Sequence, residues 1–183
     1  DIVNKNDVDA VIHLGDYYYE YGHDDFDPGI DSSRLHEPAT EILTLADYRL
    51  RHSQYKLDPD LRTIHQQYPF ICVWDDHETA NDSWTGGAEN HTNGTEGNWE
   101  DRKSYGRQSY FEWIPIRDVH NSVDTIHRII PMGGLVDLIM IDTRLEGRDV
   151  QAGITGATVT DTNRTMLGAP QLSWFKQQLS NST

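Results

Sequence analysis

The sequence predicts an α/β fold, and three observations carry that reading. Four short apolar runs have the length of strands, at residues 8–14, 70–74, 125–131 and 134–142. Stretches with helical spacing fall between and after them, at 40–67, at 100–113 and from Pro170 onward. Strands alternating with helices favour a sheet with helices packed on it.

The elements follow in order. The run VDAVIHL stops at Gly15-Asp16, which reads as a buried strand with a loop beyond its carboxyl end. Residues 21–38 are acidic and contain Gly and Pro, so a long loop is expected. From 40 to 67 the spacing turns helical. Leu43, Leu50 and Tyr55 share one broad face, and Asp58-Pro59 supply the N-cap and first-turn proline of a second helix ending near Tyr68-Pro69. The second strand, 70–74, is followed without a gap by Asp75, Asp76, His77 and Glu78. Residues 81–98, rich in Gly, Asn, Thr and Glu without a period, read as a long loop of the kind that often carries function. A helix over 100–113 is stopped by Pro115. The runs 125–131 and 134–142 pair through a turn at 131–134, and the second, LVDLIMID, is apolar enough to be a central strand. Residues 144–164 are polar and irregular. Pro170 opens a last helix with Leu172, Phe175 and Leu179 on one face.

A chain of 183 residues suffices for one domain with a substantial core. No apolar run approaches the roughly 20 residues that cross a bilayer, so no transmembrane segment is expected. The chain opens with DIVNKNDVDAV, which carries neither an initiating methionine nor a signal-peptide pattern, and is expected to be a piece of a longer protein. Thirty acidic residues against fifteen basic ones give a net charge of −15, which argues against nucleic acid as a stable partner. The single cysteine, Cys72, lies inside an apolar run and is expected to be a buried thiol.

Clustered acids repel one another unless something cationic sits among them. Asp16 lies just past a strand end, where open α/β sheets place ligands. A carboxylate there has two oxygens and can bridge two metal ions. Tyr19, three residues on, is a poor ligand for Ca²⁺ or Mg²⁺, but a strongly Lewis-acidic ion such as Fe³⁺ would deprotonate it. The second cluster, Asp75 to Glu78, suits hard cations that take oxygen ligands. Neighbouring side chains on extended backbone point opposite ways, so some of these groups must orient others. Asn81 adds a neutral carbonyl oxygen, for a metal or for a turn. Arg144, after the apolar LIMI, can clamp an anionic oxygen or hold down a nearby carboxylate.

These blocks together resemble the PhoD-like alkaline phosphatase branch of the calcineurin-like metallophosphatases. GDYYYEYG resembles that family's Gly-Asp-x-x-Tyr block, and VWDDHETAND its version of the Asn-His-Glu block. LADYRLRHSQYKLDPDLRTIHQQYPF, IDTRLEGRD and LGAPQLSWFKQQL follow in the matching order. The resemblance implies a partial four-layer α/β/β/α sandwich that hydrolyses phosphate monoesters or diesters. It implies Fe³⁺ and Ca²⁺ as cofactors, other divalent ions being possible, and a phosphate-ester substrate. Asp16 would bridge the metals, Tyr19 would bind ferric iron as a phenolate, and Asp75 or Asp76 would ligate the second position, with Asn81 a weaker candidate. His77 would assist the transferring phosphoryl group and Arg144 would hold one of its oxygens. The family's upstream ligand block and its downstream Gly-Asp-x-His block are absent. Residues 1–183 therefore read as the central part of one metallophosphatase domain, inactive alone and completed by the remainder of that domain. Family members are usually exported, which implies a secreted, periplasmic or cell-surface location.

The alternative is a non-catalytic, calcium-stabilised extracellular module whose acidic loops bind Ca²⁺ for rigidity. Tyr19 separates the two readings, because a calcium module has no use for a phenolate.

Overall fold

The computed structural model describes residues 7–25, 35–117, 124–153 and 158–182. The middle of the expected 21–38 loop and part of the irregular 144–164 stretch lie outside these residues. The described residues contain four strands and four α-helices, the α/β content that the alternation predicts. No helix among them is long and apolar enough to cross a membrane.

Strand β1 (Val11–His13) pairs in parallel with β2 (Phe70–Cys72), Ile12 opposite Ile71. A parallel pair needs a crossover, and helices α1 (Leu45–Tyr55) and α2 (Pro59–Gln67) supply it. Both strands are shorter than the apolar runs that contain them. Each ends where the chain turns into an acidic loop, so both loops emerge at the same end of the pair.

The ends of α1 are written locally. Thr44 and Asp47 form a capping box, the Thr44 hydroxyl accepting from Asp47 N at 3.3 Å and Asp47 Oδ2 accepting from Thr44 N at 2.9 Å. The helix therefore starts at Leu45, and residues 40–44 precede it. Asp58 caps α2 through Leu61 N at 2.8 Å, with Pro59 in its first turn as expected.

The buried stripe of α1 differs from the expected one. Leu50 is exposed, and the buried residues are Tyr48, Arg51 and His52. The reason is a demand for hydrogen-bond donors. Arg51 donates to the carbonyls of Glu37 (2.9 Å), Tyr21 and Pro38 (both 3.1 Å) and to that of Tyr19, so one guanidinium holds together two stretches of irregular chain. Tyr48 donates to Thr79 O at 2.5 Å and accepts from the buried Arg102 of α3 (Trp99–Trp113). Helices α1 and α3 pack on each other. At Gly106 of α3 a Cβ would lie 3.0 Å from Glu78 O and Thr79 Oγ1, so the missing side chain lets this helix press against the loop after β2.

Strands β3 (Arg128–Met132) and β4 (Val136–Met140) form an antiparallel hairpin, Ile130 opposite Leu138, turned at Gly133 with φ +66°. The expected central position of β4 is not found among the described residues. Its ladder partner there is β3 alone, and Leu135 at the turn is 94% exposed. Only the far end of β4 is buried, where Met140 joins the core with Cys72, Val73, Trp74 and Ile126. Helix α4 (Gly168–Asn181) also departs from expectation, because Leu172 and Leu179 are exposed. It is tied down instead by Gln171, fully buried, whose amide accepts from Asp142 N at 2.8 Å and donates to Asp142 O at 2.9 Å. Cys72 is buried and free, as its apolar run suggested.

His52 tests this core. Its ring is fully buried, edge-on to Tyr18 (4.5 Å between centroids) and parallel to Trp113 (6.1 Å). Neither ring nitrogen has a hydrogen-bond partner, and burial lowers its pKa to about 3. A base whose folded value is lowered stays neutral in the fold while the unfolded chain takes up a proton below about pH 6.5, so stability is lost as pH falls through that value. Between pH 8 and pH 5 this ring costs about 2 kcal/mol. His52→Phe keeps the ring packing and removes that loss. Urea unfolding at the two pH values should show a smaller drop for the variant, and equal drops would exclude His52 as the source.

Candidate metal centre

The site is built where the two parallel strands end. Gly15 and Asp16 both have positive φ, 110° and 56°. A Cβ at Gly15 would sit 2.2 Å from Asp75 N, so only glycine lets the first loop cross the second this closely. Glu78 joins the two loops. Its Oε1 accepts from Tyr17 N at 2.5 Å and its Oε2 from Asp75 N at 2.8 Å, and the side chain is 1% exposed. Burial raises the Glu78 pKa to about 7, against the pull of these main-chain donors.

With the loops joined, Asp16, Asp76 and His77 each bring one ligand atom within 4.8 Å of the others. Asp16 Oδ2 accepts from Tyr19 Oη at 3.1 Å, whereas Asp16 Oδ1 is buried with no hydrogen-bond partner. An orphaned buried carboxylate oxygen is costly unless a cation meets it. Two carboxylates and an imidazole are a donor set that hard and borderline divalent or trivalent ions accept, so the residues present fit a metal.

The two adjacent aspartates part company. Asp75 is held bidentately by Arg144, Nε to Oδ1 at 2.6 Å and Nη2 to Oδ2 at 3.1 Å. Burial works against its charge, but the Arg144 guanidinium prevails and lowers its pKa. Asp76 turns to the Asp16 side, accepts from Asp82 N at 2.6 Å and lies 3.3 Å from Arg144 Nη2. Burial, aided by the Asp75 charge, raises the Asp76 pKa. Asp75 is thus occupied by a cation of the chain itself, and Asp76 is the one facing the cluster. Arg144 Nη1 is buried without a hydrogen bond, Asp82 lying 3.7 Å away.

His77 is oriented by a residue that the sequence reading passed over. Glu20, fully buried, accepts from His77 Nδ1 at 2.7 Å, from Asn81 N at 2.6 Å and from Asn90 Nδ2 at 2.9 Å. Burial opposes a charge on His77, but the Glu20 hydrogen bond and the charges of Glu20, Asp76 and Asp16 raise its pKa. Tyr19, 37% exposed, stacks on the His77 ring at 3.9 Å between centroids. Burial and the Asp16 charge raise the Tyr19 pKa. Asn81 lies beside this network, its amide donating to Glu89 Oε2 at 2.9 Å. Glu20 and Glu78 were legible only as acids next to a candidate ligand; their roles rest on contacts 57 to 61 residues away in sequence.

The family model described as PhoD-like phosphatase matches residues 1–183. The chain belongs to the PhoD-like phosphatase family. It is 35% identical over 193 residues to alkaline phosphatase D of Bacillus subtilis (strain 168), a match covering 98% of this chain and 31% of that protein. A solved chain titled "Structure of PhoD" superimposes with a TM-score of 0.87 at 33% identity, over 100% of this chain and 35% of the other. The chain therefore spans about a third of the length of these PhoD-like relatives.

The clamp between the two loops is testable. Glu78→Gln turns an amide NH₂ toward a main-chain N–H that now meets an oxygen. Leaving one buried donor unsatisfied costs about 1–3 kcal/mol. Urea unfolding at pH 8 should show that loss. Glu112→Gln, whose ion-pair partner Arg49 is exposed, should leave the unfolding midpoint in place.

Proposed function

We propose that the protein to which this segment belongs hydrolyses phosphate esters, mono- or diesters, at a two-metal centre whose middle part is this chain. The carrying observation is the convergence of Asp16, Asp76 and His77 around an orphaned Asp16 oxygen. Membership of a phosphatase family and likeness to a protein named alkaline phosphatase D support the reaction class. On this reading Asp16 is a shared ligand, Asp76 ligates a second position, and Tyr19 is the phenolate ligand of ferric iron. Calcium is proposed for the other position. Asn81 is a further ligand of lower rank, and Asp75 serves by fixing Arg144. Residues 1–183 form the central part of one metallophosphatase domain, and the missing ligands come from elsewhere in the polypeptide. An exported location is proposed from the family resemblance alone.

When bound, the metal ions supply positive charge for the phosphoryl oxygens and acidify a water for attack. The chain's own residues do the rest. Without cations, Asp16, Asp75, Asp76 and Asp82 would repel an anionic ester; Arg144 already offsets three of them. His77 is paired through Nδ1 with Glu20, whose hydrogen bond and charge favour its protonated form, and in that form it serves as a hydrogen-bond donor through Nε2 to the transferring or leaving oxygen and not as a metal ligand. Arg144 Nη1 is the guanidinium nitrogen left to meet a phosphoryl oxygen. The position of Tyr19, hydrogen-bonded to Asp16 and stacked on His77, favours this reading over a calcium module used for rigidity alone.

Asp16→Asn in the full-length protein tests the assignment. Even the loss of a residue that only orients a metal ligand costs about 10–100-fold. Loss of a shared ligand is therefore expected to lower kcat/KM by at least about 100-fold and to lower bound iron and calcium in elemental analysis. Full activity and full metal content in that variant would refute the proposal.

A further inference from the structure

On the far side of the Asp16 loop sits a second group of titratable side chains that the phosphatase reading does not use. Lys56 caps the carboxyl end of α1. Its Nζ donates to Tyr17 Oη at 2.6 Å and lies 2.9 Å from His65 Nε2. Tyr17 Oη is 2.7 Å from the same nitrogen, and the His65 ring is stacked on Phe70 at 3.7 Å. Lys103, by contrast, has Glu100 at 2.8 Å. Among the described residues no carboxylate lies within ion-pairing distance of Lys56, although the chain carries thirty acids.

We propose that Lys56 is a nucleophilic amine, a site of covalent acylation by activated acyl donors of the acyl-phosphate class. The Nζ lone pair attacks the acyl carbon, the C–N amide bond forms, and the C–O bond to phosphate breaks with its electron pair leaving on phosphate. The surplus proton on nitrogen passes to His65 Nε2 or to water.

The surroundings keep the amine available. The groups facing it are His13 from β1, Tyr17 from the Asp16 loop, the neutral His52 one turn back on α1, His65 from α2 and Cys72 from β2. Burial lowers the pKa of His13, lowers that of His65 to about 4 and raises that of Cys72 to about 11, so none of them carries a charge near pH 7. With no anion to hold it as an ammonium, Lys56 is lowered by burial to about 8. Against an ordinary lysine near 10.4, its free-amine fraction at neutral pH is about 200-fold larger. A weaker base is a weaker nucleophile, and a Brønsted slope like the roughly 0.4–0.5 of thiols would leave a net advantage of about 10–20-fold.

The test uses the full-length protein with acetyl phosphate, reading acetylation of Lys56 and of the exposed Lys176 by peptide mass spectrometry. At pH 7.5 Lys56 should react about 10–20-fold faster than Lys176. Its rate should level off above pH 9, whereas that of added Nα-acetyl-lysine, an ordinary lysine near 10.4, keeps rising. His65→Glu places a carboxylate beside Nζ and should bring the Lys56 rate down to that of Lys176 at pH 7.5. The pH profile of the unaltered protein decides the matter even where that variant fails to fold. An unmodified Lys56, or equal rates at the two lysines at pH 7.5, overturns the proposal whatever the metal content or phosphatase activity.

Discussion

One buried carboxylate sets the geometry of this molecule. Glu78 accepts main-chain N–H groups from the loops that follow both parallel strands, and so fixes the distance between them. Gly15 makes that distance possible, since any side chain there would strike Asp75. Asp16 and Asp76 are neighbours because these two conditions hold together. The left-handed backbone at Asp16 belongs to the same constraint, a non-glycine residue kept in a sparsely populated conformation where the surrounding structure over-determines it. The strands themselves are three residues each and contribute few ladder hydrogen bonds. Position at the site is therefore set more by side-chain clamps than by the sheet.

The acidic composition is resolved locally. Glu20 faces His77, Glu41 faces Arg102, Asp75 faces Arg144 and Glu146 faces His127, each at 2.6–2.7 Å. Asp16 has no such counter-charge and keeps one oxygen buried and unpartnered, as does Asp142, whose other oxygen accepts from the main chain of Arg144 and Leu145. Asp16 differs from Asp142 in its surroundings, because Asp76 and His77 converge on it and offer a defined charge and defined donors. That convergence on an unpartnered carboxylate oxygen, more than the net charge of −15, is what points to a cation.

Much of the architecture was legible in the sequence because its signals are local. Asp58-Pro59 announced the start of α2, and the apolar runs announced all four strands to within a few residues. Apolar periodicity misjudged α1 and α4, whose anchoring faces are polar. Arg51 and Gln171 are buried because each satisfies main-chain groups of distant segments, a need invisible in helical spacing. The same limit applied at the site. The strand-end acids stood out, but Glu20 and Glu78 could not be told from solvated charges, since their partners come from the other loop. Asp75 and Asp76 were indistinguishable by type, and only Arg144, 69 residues on, separates them.

That separation has a consequence for how the loop after β2 works. Four charged residues in a row cannot all serve one ion, and here they divide by direction. Asp75 and Glu78 turn to structure, one holding Arg144 and the other the Asp16 loop. Asp76 and His77 turn to the cluster. The division comes from the turn that Asp76 opens, its carbonyl accepting from Thr79 N at 2.7 Å and Ala80 N at 2.8 Å, so inserting or deleting one residue between 75 and 78 would exchange structural for cluster-facing positions. A compact block of this kind couples stability to chemistry. Glu78, which brings the loops together, lies two residues from Asp76, which faces the cluster, so a shift of one displaces the other.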